Sequence, residues 1–204
     1  MNKNFFILLL ATAITTTSCK VVNTLYPISE NENDFLFKKE LIGTWKELKD
    51  TAGYIHVDTV MGSDKKLYMA TIISPNEKNK SVMDTTNFRV RLAQIDKLYF
   101  IDCQLNLESS FPQRADDYEG WLIVRHFVYQ IVFDTDDRVE IIYPDPDKLL
   151  QLIDEKKIHL SYYNIAKDNY LILNKPSELQ AALKKSQQYN SFLYKDKDTL
   201  MRIK

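Results

Sequence analysis

Residues 87–107, NFRVRLAQIDKLYFIDCQLNL, read as two strands and the turn between them. Phe88, Val90 and Leu92 alternate with Arg89 and Arg91. That period of two puts one strand face in a core and the other in water. Asp96-Lys97 breaks the pattern at a turn. Tyr99, Ile101, Cys103, Leu105 and Leu107 then resume it with mostly polar neighbours. Two alternating runs joined by so short a break predict an antiparallel hairpin. Cys103 falls on its buried face, where a thiol behaves as a small apolar side chain.

The same pattern spreads outward from this hairpin. LIGTWKEL (41–48) is a first strand. YIHVDTVM (54–61) carries Ile55, Val57 and Met61 on one side and turns at Gly62-Ser63-Asp64 into LYMATII (67–73). WLIVRHFVYQIVF (121–133) is a long strand, apolar on both sides, and DTDD (134–137) turns it back into RVEIIY (138–143). IHLSYY (158–163) and YLIL (170–173) are further strands. FLYKDKDTLMRI (192–203) reads as one or two short strands around a Lys195–Asp198 turn. Two short helices interrupt the series. In 143–157 Asp145 can cap, Pro146 suits the first helical position, and Leu149, Leu150 and Ile153 share a face. In 174–188 Asn174 or Ser177 can cap, and Leu179, Ala182 and Leu183 make the apolar face. Eight to ten strands with hairpin connections predict a mainly β protein built as an antiparallel barrel. A two-sheet β-sandwich is the alternative.

The chain opens MNKNFFILLLATAITTTSCK. Lys3 supplies a basic flank, and Phe5 to Ile14 is an apolar run too short for a bilayer core, which needs about 20 residues. This fits a signal peptide. Thr16-Thr17-Ser18-Cys19 resembles the lipobox of bacterial lipoproteins. That resemblance implies cleavage before Cys19 and lipid on its sulfur, giving a chain anchored in the cell envelope. The alternative is an ordinary secretory signal with a chance cysteine. Palmitate-type chains add about 0.8 kcal/mol per buried methylene, and two or more hold a protein stably. Acidic residues after the cysteine would resemble the surface-export signal of some Bacteroidota lipoproteins; none follows Cys19, and that comparison implies the periplasmic side of an outer membrane. Residues 20–37 are polar, with one Pro and an Asn/Glu cluster, and read as a loosely packed tether. The expected organisation is therefore signal 1–18, tether 19–37 and barrel domain 38–204.

LIGTW, opening the first strand, resembles the Gly-x-Trp entry of lipocalins, with Gly43 and Trp45 in the motif positions. SELQAAL followed by TLMRIK resembles the closing helix and strand of lipocalin-like lipoproteins of Bacteroidota. The resemblance implies a β-barrel able to hold an apolar or amphipathic molecule. It also implies that Trp45 packs against Arg202, joining the first and last strands. One feature departs from lipocalins, which place their main helix after the eighth strand: here both helices precede the final one.

Chemistry is sparse. Lys and Arg total 27 against 28 Asp and Glu, so no basic field draws nucleic acid. With four Gly there is no phosphate-binding loop, and no Gly-x-Ser-x-Gly, Cys-x-x-Cys or His-Glu-x-x-His occurs. No cofactor is indicated. The three histidines, His56, His126 and His159, fall on three expected strands without a closely spaced ligand pair. His56 and Asp58 share a strand face but lack a nucleophile beside them. Asp134, Asp136 and Asp137 lack the Gly and Glu of a calcium loop and read as a turn. Asp116, Asp117, Glu119 and Trp121 lie in the long connection 108–121, which could rim a binding mouth. Tyr162, Tyr163 and Tyr170 cluster between the helices and could present a ligand or partner surface. The expected function is a non-catalytic, lipid-anchored envelope protein holding a small apolar ligand or an envelope partner. The alternatives are a structural lipoprotein with a filled core and a histidine-dependent metal site or hydrolase.

Overall fold

The strands close on themselves. In the computed structural model, which describes residues 21–49, 52–60, 66–76, 79–106, 125–186 and 194–203, eight strands form an antiparallel ring. They are β3 (Gly43–Glu47), β4 (Tyr54–Thr59), β5 (Leu67–Pro75), β6 (Met83–Ile95), β7 (Leu98–Leu105), β8 (His126–Thr135), β9 (Arg138–Pro144) and β12 (Tyr194–Ile203). Each pairs with the next in that order, and β12 closes the ring by pairing with both β3 and β9. The architecture is the expected lipocalin-like barrel, not a sandwich of two sheets.

The period-two pattern sets each strand's orientation. Phe88, Val90 and Leu92 of β6, Cys103 of β7, and Phe127, Tyr129 and Ile131 of β8 fill one inner core with Trp45, Tyr68 and Ile141. Asp96, at φ 53°, makes the β6–β7 turn, a conformation Asp tolerates better than most residues.

A second layer lies outside the ring. Helix α1 (Pro146–Asp154) is capped by the Asp145 side chain, which accepts from the Lys148 N–H. Helix α2 (Pro176–Ser186) has Glu178, rather than Asn174 or Ser177, bonded to the Lys175 N–H at its start. A hairpin of β10 (Tyr162–Ala166) and β11 (Asn169–Ile172) extends the sheet. Leu149, Leu152, Leu179, Ala182 and Leu183 from the helices meet Ile95, Phe100 and Val128 on the outer wall.

Residues 21–36 depart from the expected tether. β1 (Val21–Thr24) pairs in parallel with β11 and, at Thr24, with β8. Ile28 is fully buried in the outer core, and β2 (Phe35–Leu36) pairs with β6. Polar composition misled here because the segment buries only isolated apolar residues. Its polar groups are satisfied locally, as where Ser29 donates to the Asp34 carboxylate at 2.6 Å. The Lys195–Asp198 turn is also absent: β12 runs through it with one register irregularity. Lys197 suits the outer face, where it pairs with Glu140 at 2.8 Å, while Asp198 stands on the inward side near the Tyr143 hydroxyl.

Candidate functional site

Alternation gives the barrel cavity an uncharged lining, while at one end of the ring Asp198 and Glu47 stand on the inward side near the Tyr143 hydroxyl. Among the described residues, a cavity of about 80 Å³ lies inside the ring. Its wall includes Trp45, Ala70, Ile72, Val90, Ile101, Cys103, Tyr129, Ile141 and Leu200. Cys103 is a free thiol, 5 % exposed, on the inner strand face. Burial pushes both the Cys103 thiol and the Tyr129 hydroxyl well up from their ordinary values, so both stay neutral. A space so lined takes a neutral apolar group, because a charge would lose its hydration without a partner.

One end of the barrel is plugged. A 3-10 turn at Lys39–Leu41 follows Lys38, whose N–H donates to the Tyr68 hydroxyl at 2.6 Å. The Trp45 indole N–H donates to the Leu41 carbonyl at 2.9 Å. Arg202 sits opposite Trp45 in the β12–β3 register, its guanidinium 4.5 Å from the ring centroid. It donates to the carbonyls of Glu40, Ile42 and Asp136 and pairs with the Asp137 carboxylate at 3.1 Å. The position before the strand's x-Trp must be Gly. Gly43 has φ +141°, and a Cβ there would stand 2.5 Å from Arg202 Nη1. The far end, where β5, β7 and β9 finish and β4, β6 and β8 begin, is the mouth.

The histidines do not converge. His56 points outward from β4, exposed, with Nδ1 3.0 Å from the Thr44 hydroxyl. Asp58 shares that exposed face but bonds its own neighbour's N–H, that of Thr59. His126 points outward from β8, on the other side of the ring. His159, expected on a strand, is exposed in the connection between α1 and β10, between buried Ile158 and Leu160. No cluster of potential metal ligands occurs among the described residues.

Sequence reasoning missed Asp102. Alternation places it on the strand face opposite Cys103, the one expected in water, yet it is 4 % exposed. Its carboxylate accepts from the Ile28 N–H at 2.7 Å and lies 2.7 Å from His126 Nδ1. The Ile28 carbonyl in turn accepts from Gln180 of α2 at 2.9 Å. The available signal was an acid in the middle of an apolar strand, followed by a second strand apolar on both faces. Together these call for a covered outer wall. The pair orients an imidazole and locks down the segment around Ile28. Among the described residues no hydroxyl or thiol nucleophile bonds to the imidazole.

Tyr162 and Tyr170 meet edge to face at 5.8 Å, while Tyr163 is 64 % exposed. They do not line the barrel cavity and stand on the outer hairpin. Trp121 and the acids of 108–121 lie outside the described residues, as does Cys19. No family model matches this chain, and neither the curated proteins nor the solved structures contain a match to it.

Proposed function

We propose that this chain is a lipid-anchored, non-catalytic binding protein of the cell envelope whose barrel receives a small, neutral, apolar ligand or the apolar end of a larger one. The observation that carries this reading is the uncharged space inside a ring closed by hydrogen bonds on every side. Attachment through a lipid on Cys19 rests on the signal-like start and the lipobox resemblance, and residence at the periplasmic face of the outer membrane on the lack of an acidic run after Cys19. Size constrains the ligand. A cavity of about 150 Å³ admits benzene, so the 80 Å³ here holds only a few heavy atoms unless side chains turn aside. That smallness favours the second reading, a structural lipoprotein with a filled barrel.

Native mass spectrometry of the protein purified from its own envelope separates the two. The binding reading expects a retained mass beyond the lipid on Cys19, lost in Ala70→Leu, which grows into the cavity. Protein that carries no such mass leaves the filled barrel standing. Palmitate labelling of the wild type against Cys19→Ala tests the anchor, and equal labelling would end it.

A further inference from the structure

The most informative feature for partners is the point at which the sheet begins. β1 starts at Val21, two residues after Cys19. The Val21 N–H donates to the Asp168 carbonyl at 2.7 Å, and Val21 stands opposite Asn169 in the parallel β1–β11 register. Two peptide steps cover no more than about 7.6 Å. A lipid on Cys19 would therefore leave the domain beside the turn of the β10–β11 hairpin, with no spacer between.

We propose that the domain lies flat against a phospholipid surface on its β10–β11 side, with the hairpin turn and the β10 edge as the contact. This rests on the reading of Cys19 as lipidated. Three observations support the choice of face. β10 ends the sheet, pairing only with β11 among the described residues, so its outer edge is uncovered. All of its positions except Ile165 are exposed, including Tyr162 and Tyr163. Tyrosine suits the boundary between headgroups and acyl chains because its ring is apolar and its tip polar. Lys167 is exposed at the turn, where its ammonium can reach an anionic headgroup. Among the described residues no helix is long and apolar enough to cross a membrane.

The geometry also aims the mouth. β1 runs from Val21 toward Thr24, which pairs with His126 at the mouth end of β8. The anchor thus sits toward the end of the hairpin away from the mouth. The β4 wall, across the ring from β8, faces away from the bilayer.

The test uses the lipidated full chain in vesicles of phosphatidylethanolamine and phosphatidylglycerol containing a nitroxide-headgroup lipid. Fluorophores are placed on single introduced cysteines, Tyr163→Cys and Lys167→Cys on one side, His56→Cys and Asp58→Cys on the other. Cys103 is buried and labels slowly. Quenching is expected to be severalfold greater at 163 and 167 than at 56 and 58. A Gly-Ser linker of about ten residues between Lys20 and Val21, which spans about 17 Å on average, should even out the four signals. Equal quenching without the linker, or stronger quenching on β4, overturns the orientation while leaving the anchor intact. A chain whose mass lacks lipid at Cys19, and which does not float with vesicles, overturns the anchor and the orientation with it.

Discussion

On β4 the outward residues Tyr54, His56 and Asp58 stand in solvent, whereas on β7 and β8 the outward residues Phe100, Asp102 and Val128 are as buried as the inward ones. Both stretches belong to the same closed ring, and both send alternate side chains into the same inner core. The difference is made by residues distant in sequence, the segment around Ile28 and the two helices, which cover one half of the wall. An antiparallel strand read alone reports its inward face. Its outward face reports whatever the rest of the chain lays upon it.

The largest expected effect breaks this contrast most directly. Phe100→Ala removes a ring that is 1 % exposed on the covered wall and should cost about 3–5 kcal/mol. Tyr54→Ala on the bare wall, where 37 % is exposed, should cost under about 1 kcal/mol. Urea denaturation of both variants is the check. Comparable losses would mean that the outer layer contributes little.

At the seam, where β12 joins the bare half to the covered half, Gly43→Ala and Arg202→Ala should each cost about 1–3 kcal/mol. The first forces a positive φ on alanine and drives its Cβ into the guanidinium; the second loses the indole contact and the carbonyl bonds. Their double variant should lose less than the sum, since removing Arg202 also removes the clash. Arg202→Lys should recover little, because an ammonium cannot span three carbonyls and a carboxylate as the planar fork does. Strict additivity would show that the glycine is required for its backbone alone.

Asp102→Ala should cost about 1–3 kcal/mol by leaving the Ile28 N–H without its acceptor, while Asp58→Ala should be near neutral. Hydrogen exchange at Ile28 would rise in the first variant and stay unchanged in the second.

The inner layer answers to alkali instead. Cys103, Tyr129 and Tyr143 all hold their protons more tightly when folded, chiefly because burial disfavours the charged form. Groups with raised values add stability that is complete below their unfolded pKa and declines as pH rises beyond it. Stability should therefore be level near neutrality and fall above about pH 8.5, where a free thiol begins to ionise. Cys103 alone contributes about 1.4 kcal/mol of loss one unit above that point. Cys103→Val should delay the onset, measured as the urea midpoint between pH 7 and 10.

The inward face of the barrel was legible because alternation encodes it. Phe88, Val90 and Leu92 point inward as their spacing predicts. Trp45 and Arg202 meet at the seam because one begins the ring and the other ends it, and a motif at each terminus is visible without knowing the middle. The covered wall was not legible, since its apolar cover is scattered through 28–35 and 149–183 among polar residues. Asp102 looked solvated because an acid's partners, here an amide and an imidazole 74 and 24 positions away, leave no local trace. The Lys195–Asp198 stretch looked like a turn because four charges in a row carry no apolar alternation. Asp198 takes its inward place at the mouth, near the Tyr143 hydroxyl, which no local pattern announces.

The placement of Ile28 has a consequence for the order of folding. Its N–H is satisfied by a residue 74 positions on and its carbonyl by one 152 positions on, and Asn23 bonds to Asn169 across 146 positions. A chain made from its N-terminus has none of these last partners until more than three-quarters of it exists. The opening strand therefore completes its pairing with β11 only after the strands from β3 to β9 have been made. Contacts of such long span close slowly, because the intervening loop entropy is lost before any bond forms. β1 and the Ile28 segment thus gain these last partners late, shortly before β12 closes the ring, and whatever acts on the first residues of the domain meets them before they are fully tied down.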